Sequence, residues 1–117
     1  MKDFRTLKVW QKAHQFALAV YKATKTFPRE ELYGLTSQIR RSSMSIPTNI
    51  AEGAGRFTDK DFARFLQISM GSASEAEYQL LLARDLGFMN DEQYNTLQSQ
   101  IVEVKKMLAS FLRTLRS

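Results

Sequence analysis

The stretch 90–115, Asn90-Asp91-Glu92-Gln93-Tyr94-Asn95-Thr96-Leu97-Gln98-Ser99-Gln100-Ile101-Val102-Glu103-Val104-Lys105-Lys106-Met107-Leu108-Ala109-Ser110-Phe111-Leu112-Arg113-Thr114-Leu115, decides the fold. Its apolar residues Tyr94, Leu97, Ile101, Val104, Leu108, Phe111 and Leu115 recur at alternating steps of three and four. That spacing keeps one stripe of a helix against a partner and is the seam of helix-bundle packing. Asn90 and Gln93 flank the start as a capping box, in which the asparagine oxygen and the glutamine side chain satisfy backbone N–H groups that a helix leaves unpaired. The spacing predicts a helix over about 91–115.

Working backwards, Gly87 closes a second pattern over about 59–86, opened by Thr58-Asp59-Lys60-Asp61 with acids where a helix dipole favours them. One of its stripes is Phe62, Leu66, Ser69, Ala73, Ala76, Leu80, Ala83, and a second is Phe65, Ile68, Ser72, Glu75, Gln79, Leu82, Leu86. Met70, Tyr78 and Leu81 lie elsewhere on the circumference, so this helix carries more apolar surface than a lone small bundle hides. The pattern over about 35–54 has the core stripe Leu35, Ile39, Ser42, Ile46, Ile50, Gly53. Ser42, Ser43 and Ser45 let a neighbouring backbone come close. Pro47 removes one helical hydrogen bond and is expected to bend the rod. The first pattern runs over about 7–25, with Thr6 as expected N-cap and Phe27-Pro28 as terminator. Its stripes are Leu7, Trp10, His14, Ala17, Tyr21, Thr24 and Val9, Ala13, Phe16, Val20, Ala23, both expected to be buried, with Lys8, Lys12, Gln15, Ala19 and Lys22 facing water. Short connections make sequential helices antiparallel neighbours. The expectation is therefore an all-α, antiparallel up-down-up-down four-helix bundle, one domain over 1–117, whose third helix drives self-association.

Composition narrows function mainly by exclusion. The 117-residue chain suffices for one hydrophobic core. It has no cysteine, which excludes thiol catalysis, cysteine-type zinc sites and disulfides. Its one histidine, His14, lies on a core-facing stripe, where a packed, hydrogen-bonded role is expected. There is no Glu-x-x-His pair for a di-iron bundle, no phosphate-loop motif around Gly53-Ala54-Gly55-Arg56, and no G-x-S-x-G elbow. No catalytic residue, metal or cofactor is expected, and no small-molecule substrate. The chain reads as a non-enzyme. The opening, Met1 to Trp10, has no apolar segment of a signal peptide, and no apolar run approaches the ~18 residues of a membrane span. A cytoplasmic location without membrane contact is expected.

The net charge of +5 is unevenly placed: residues 1–30 carry +5 and residues 59–95 carry −4. A basic surface raises the case for an anionic partner, with Arg5, Lys8, Lys12 and Lys22 on the first helix and Arg56, Lys60 and Arg64 around the second connection as the candidate contacts. Lys and Arg hold phosphate without reading sequence, so binding is expected to be salt-sensitive and non-specific. The alternative is that the same charges only keep the protein soluble. A second set, Arg40, Arg41, Asn49 and Glu52 with Glu75 opposite, is expected to be a structural network in which an arginine pairs with a carboxylate across helices or subunits, because a buried lone carboxylate is costly.

Two longer strings add a resemblance. Phe27-Pro28-Arg29-Glu30-Glu31-Leu32-Tyr33-Gly34-Leu35, followed by Gln38-Ile39-Arg40-Arg41 and Ser45-Ile46-Pro47-Thr48-Asn49-Ile50-Ala51-Glu52-Gly53, resembles the four-helix bundle family labelled as the 23S rRNA intervening-sequence (S23) protein. Phe4 to Trp10 and Gly71-Ser72-Ala73-Ser74-Glu75 match the same pattern, so the likeness spans nearly the whole chain. The family name reflects genes found inside insertions of 23S rRNA. The resemblance extends to the accessory protein of diversity-generating retroelements, which works with a reverse transcriptase. It implies a ring-shaped homo-oligomer, a pentamer, and it carries over no catalytic residues. With the basic surface, it suggests a scaffold that associates with RNA or a nucleic-acid-handling protein. A protein-interaction adaptor with no nucleic-acid role is the alternative.

Overall fold

Caps and breakers set the helix boundaries. The computed structural model describes residues 1–116, and these form α1 (Lys8–Ala23), α2 (Leu35–Ala54), α3 (Asp59–Asp85) and α4 (Asp91–Arg116), with short 3-10 turns at Phe4–Thr6, Thr24–Thr26 and Arg29–Glu31. No strand occurs among the described residues, and the all-helical expectation holds. At the start of α4, Gln93 N–H donates to Asn90 Oδ1 at 2.8 Å and Asn90 N–H donates back to Gln93 Oε1 at 3.1 Å, the reciprocal cap foreseen. Thr58 Oγ1 accepts from Asp61 N–H at 3.1 Å and opens α3. At the other end of α3, Gly87 turns left-handed (φ +80°), and Phe88 N–H reaches Ala83 O while Gly87 N–H reaches Arg84 O, each at 2.9 Å. That pair of bonds satisfies carbonyls the helix would otherwise leave open.

The first helix departs from expectation at both ends. Thr6 is not its cap, because the Thr6 hydroxyl donates to Asp3 O at 2.7 Å inside the preceding 3-10 turn, and Leu7 takes the cap position without a side-chain bond. At the far end the last turn tightens into the 3-10 turn, with the Thr24 hydroxyl on Val20 O at 2.8 Å, before Phe27-Pro28 breaks the chain.

Each helix packs on the next and α4 packs on α1, so the four enclose one core with α1 and α3 across it from each other. Phe16, Ile39, Ile46, Ile50, Leu66, Leu80, Ile101 and Leu108 are fully buried there. Each such side chain contributes about 1.5–3 kcal/mol relative to exposure. The expected stripes of α2 and α4 and the first stripe of α3 line this core. The α2–α3 contact is the tightest, since both helices present small residues. Ser42 and Ser69 are buried there, and the Ser69 hydroxyl donates to Ile46 O at 2.9 Å across the interface. A Cβ on Gly53 would lie 2.8 Å from Phe65 Cβ and 2.9 Å from Phe62 Cδ1, which shows how closely the two backbones approach. α2 continues through Pro47 to Ala54.

In α1 one stripe is enclosed and the other only in part. Val9, Ala13, Phe16 and Val20 are buried, while of the other stripe Ala17 and Thr24 are buried, Leu7 and Trp10 are half-buried, and His14 and Tyr21 are exposed. His14 is thus not the packed core histidine expected; its ring stacks on Trp10 at 4.9 Å, on the surface.

Candidate nucleic-acid interface

Short bonds draw the first residues of the chain to the place where α2 meets α3. Lys2 N–H donates to Ala54 O at 2.7 Å, and Phe4 lies against the α1–α2 groove beside Ala51. The start of α3 borders the end of α4: Asp59, Lys60, Ala63 and Arg64 line a shallow depression with Leu115 and Arg116. Arg5, Arg56, Lys60 and Arg64, separate in sequence, therefore gather at one end of the molecule, joined by Lys2 and by Arg113 and Arg116 in the last turn of α4. The carboxylates in that region are Glu52, Asp3, Asp59 and Asp61, of which Asp3 is paired with Arg5 at 3.2 Å and Asp61 with Arg64 at 3.8 Å. The opposite end carries Lys22, Lys25, Arg29 and Arg84 against Glu30, Glu31, Asp85, Asp91 and Glu92, so the excess of positive charge sits at the first end.

The cations at this end are held by aromatic rings. Arg56 and Arg64 both place their guanidinium over the buried Phe65 ring, at 4.7 and 4.6 Å, and Arg5 lies over Phe4 at 4.6 Å. Such contacts fix a cation at modest energy, and of the three Arg56 has no carboxylate partner among the described residues. Phe57, between them in the connection, is 86 % exposed. The sequence reading passed over Phe57. Its one signal, an aromatic beside an arginine between a helix-ending glycine and a helix-opening threonine, is too short to stand out.

The α1 lysines do not join this group as one patch. Lys12 is bound to Glu103 of α4 at 3.4 Å. Lys8 borders Val9, Met107 and Phe111 along the α1–α4 seam, and Lys22 sits beside Asn90 and Glu92 at the far end.

The second expected set also separates. Arg40 turns to α1, with Nε donating to Thr24 Oγ1 at 2.8 Å and its guanidinium over the Tyr21 ring at 5.0 Å. Among the described residues no ion pair within the subunit joins Arg40 or Arg41 to Glu52 or Glu75. Glu75 is exposed, so the burial that would have demanded a partner is absent. Asn49 does make a polar contact: its Nδ2 donates to Ser45 O at 2.9 Å and lies 3.0 Å from Ser45 Oγ, which also receives the Ser72 hydroxyl at 2.9 Å. Buried polar links between α2 and α3 are instead the Ser42 hydroxyl donating to Gln79 Oε1 and the Ser69 hydroxyl on Ile46 O.

An uncovered apolar surface lies between α1 and α2. A groove of about 470 Å³ is lined by Trp10, His14, Leu18, Tyr21, Met44 and Pro47 among others. Leu18 and Met44 are 58 % and 50 % exposed there. Ile68 and Tyr78 of α3 are 43 % and 60 % exposed, and Leu86 at its C-cap is 53 % exposed. No helix among the described residues is long and apolar enough to cross a membrane.

Four helices around one core define an all-helical protein with a cationic end and an uncovered apolar groove. Residues 5–110 match the family described as 23S rRNA-intervening sequence protein, and the chain belongs to that family. A solved structure from Bacteroides thetaiotaomicron, described as a protein with unknown function from the S23 ribosomal protein family, is similar over 90 % of this chain and 95 % of its own, at 30 % identity and a TM-score of 0.83. Among curated proteins none matches the chain.

Proposed function

We propose that the protein is a non-enzymatic, cytoplasmic scaffold that forms a ring of identical subunits and associates with RNA, or with a nucleic-acid-handling protein complex, through its cationic end. The observation that carries the RNA part is the convergence of Arg5, Arg56, Lys60 and Arg64 at one end, with guanidiniums held on Phe65. Family membership supports it, since the family takes its description from 23S rRNA. The subunit is one domain whose helices run up-down-up-down, as the short connections and the cyclic order of helix contacts favour.

Self-association is supported by uncovered apolar side chains on different faces, those of the α1–α2 groove and Ile68 and Tyr78 of α3. Surfaces that differ from each other favour head-to-tail contact, which closes into a ring when the rotation between subunits closes. The family resemblance supports a ring of five. A ring repeats the cationic end several times, and repetition raises the avidity of weak phosphate contacts. Titration of the full-length protein against a labelled RNA strand at rising salt tests this. The logarithm of affinity should fall linearly with the logarithm of salt, with a slope near −2 if about three phosphates are held. Arg56→Glu with Lys60→Glu should weaken binding more than Lys8→Glu with Lys22→Glu. A salt-independent response, or none at low salt, removes the RNA part.

The groove favours a second reading, in which it serves as the docking face of a protein-interaction adaptor with no nucleic-acid role. Recovery of one stoichiometric protein partner after nuclease treatment, lost on Leu18→Glu, would favour that reading.

A further inference from the structure

Phe57 is held out into solvent by a backbone that has little freedom. The connection between α2 and α3 is Gly55-Arg56-Phe57-Thr58, and both its sides are bonded. Gly55 N–H donates to Ala51 O at 3.3 Å, Arg56 N–H to Gly53 O at 3.0 Å, and Thr58 caps α3 through its hydroxyl. Lys2 N–H anchors Ala54 O from outside. A free phenyl ring on a fixed platform loses little entropy when something stacks on it. Arg56 precedes it, Lys60 lies in the first turn of α3 between Asp59 and Asp61, and Arg64 shares the Phe65 ring with Arg56 while pairing with Asp61 at 3.8 Å. Among the described residues Lys60 and Arg56 have no carboxylate partner.

We infer that this end is a site for a single-stranded polynucleotide, in which one unpaired base stacks on Phe57 while Arg56, Lys60 and Arg64 hold the flanking phosphates. The inference rests on the RNA-binding reading above and adds the form of the ligand. A duplex offers Phe57 no open base face, because its bases already stack on one another, whereas every unpaired base does. A phenyl ring carries no donor or acceptor, so the site takes any base. It has no means of reading the 2′-hydroxyl either, so RNA and DNA strands bind alike.

The test uses the full-length protein and labelled strands of about 12 nucleotides, oligo-U, oligo-dT and a duplex of equal length, followed by fluorescence anisotropy at fixed salt. Phe57→Ala should lower affinity for both single strands by roughly 5- to 150-fold and leave duplex binding unchanged, with helical circular dichroism intact. Phe57→Trp should retain binding and add an emission that the strand quenches. Tyr33→Ala, which removes the 92 % exposed ring at the opposite end, should change nothing. If Phe57→Ala leaves single-strand affinity intact while Arg56→Glu with Lys60→Glu weakens all three ligands, stacking is overturned and only the electrostatic reading survives. Duplex binding as tight as single-strand binding, or equal loss on Tyr33→Ala, also overturns it. A wild-type protein that binds no strand at low salt takes down the RNA-binding reading as well.

Discussion

Two helical glycines, Gly53 in the last turn of α2 and Gly71 in the interior of α3, differ sharply in what surrounds them, and substituting alanine at each separates tertiary packing from helix propensity. In a helix interior alanine is favoured over glycine by about 0.8–1 kcal/mol. At Gly71 an added Cβ meets nothing within 4 Å, so that gain stands nearly alone. At Gly53 the same Cβ meets Phe65 Cβ at 2.8 Å, Phe62 Cδ1 at 2.9 Å and Phe62 O at 3.3 Å. Neither a Cβ nor a carbonyl moves without its backbone, so the helices must part. Overpacking of this kind costs about 1–3 kcal/mol. Gly71→Ala should therefore stabilise by roughly 0.5–1 kcal/mol and Gly53→Ala should destabilise by roughly 0.5–2 kcal/mol after its own smaller propensity gain. Urea unfolding followed by circular dichroism measures both, with light scattering at the same concentration to show that assembly is unchanged. The midpoints should move in opposite directions at constant m. A Gly53→Ala protein as stable as Gly71→Ala would refute the close α2–α3 approach.

Other outcomes follow from single features of the structure. Leu18→Glu places a charge in the exposed α1–α2 groove and should reduce the solution mass to that of one subunit while helicity persists; an unchanged mass would move the interface elsewhere. Thr36 is buried and its hydroxyl has no partner among the described residues, so Thr36→Val should be neutral or stabilising by up to about 1 kcal/mol, and a larger loss on thermal unfolding would reveal a bond to that hydroxyl. The Lys105–Glu77 pair, 2.8 Å apart and about 30 % exposed, should show a double-mutant coupling of ~0.5–1 kcal/mol, and the more open Lys12–Glu103 pair at 3.4 Å less; the reverse order would contradict the burial argument. Asn90→Ala removes half of the reciprocal cap of α4 and should cost about 1 kcal/mol, read by the same unfolding curves.

Periodicity and punctuation are local, and they carried the elements. The three–four spacing from Tyr94 to Leu115 needs no partner to be recognised, and neither do Asn90/Gln93, Thr58 or Gly87, whose bonds close within a few residues of chain. Family membership was equally legible, because it resides in strings such as Ser45-Ile46-Pro47 and Asn49-Ile50-Ala51-Glu52-Gly53. Where a local signal had two uses the reading failed. Thr6 has a capping hydroxyl, but Asp3 O was nearer. The stripe through Trp10, His14 and Tyr21 has core spacing, but with Val9, Ala13, Phe16 and Val20 already filling the interior, only one face of α1 could be wholly enclosed.

The candidate site lay in the sequence as fragments. Charge counts flagged Arg5 and Arg56 separately, and their meeting depends on the Lys2–Ala54 bond, which spans half the chain. Arg40 likewise carried no label that it would choose Thr24 over Glu75, since that choice rests on which helix faces it. Sequence alone determined which segments are helical, where α2, α3 and α4 begin and which stripes each offers, because those depend on contacts between near neighbours. Only the tertiary structure decided which stripe wins the core and which charges share an end, because both depend on the packing of segments distant in sequence.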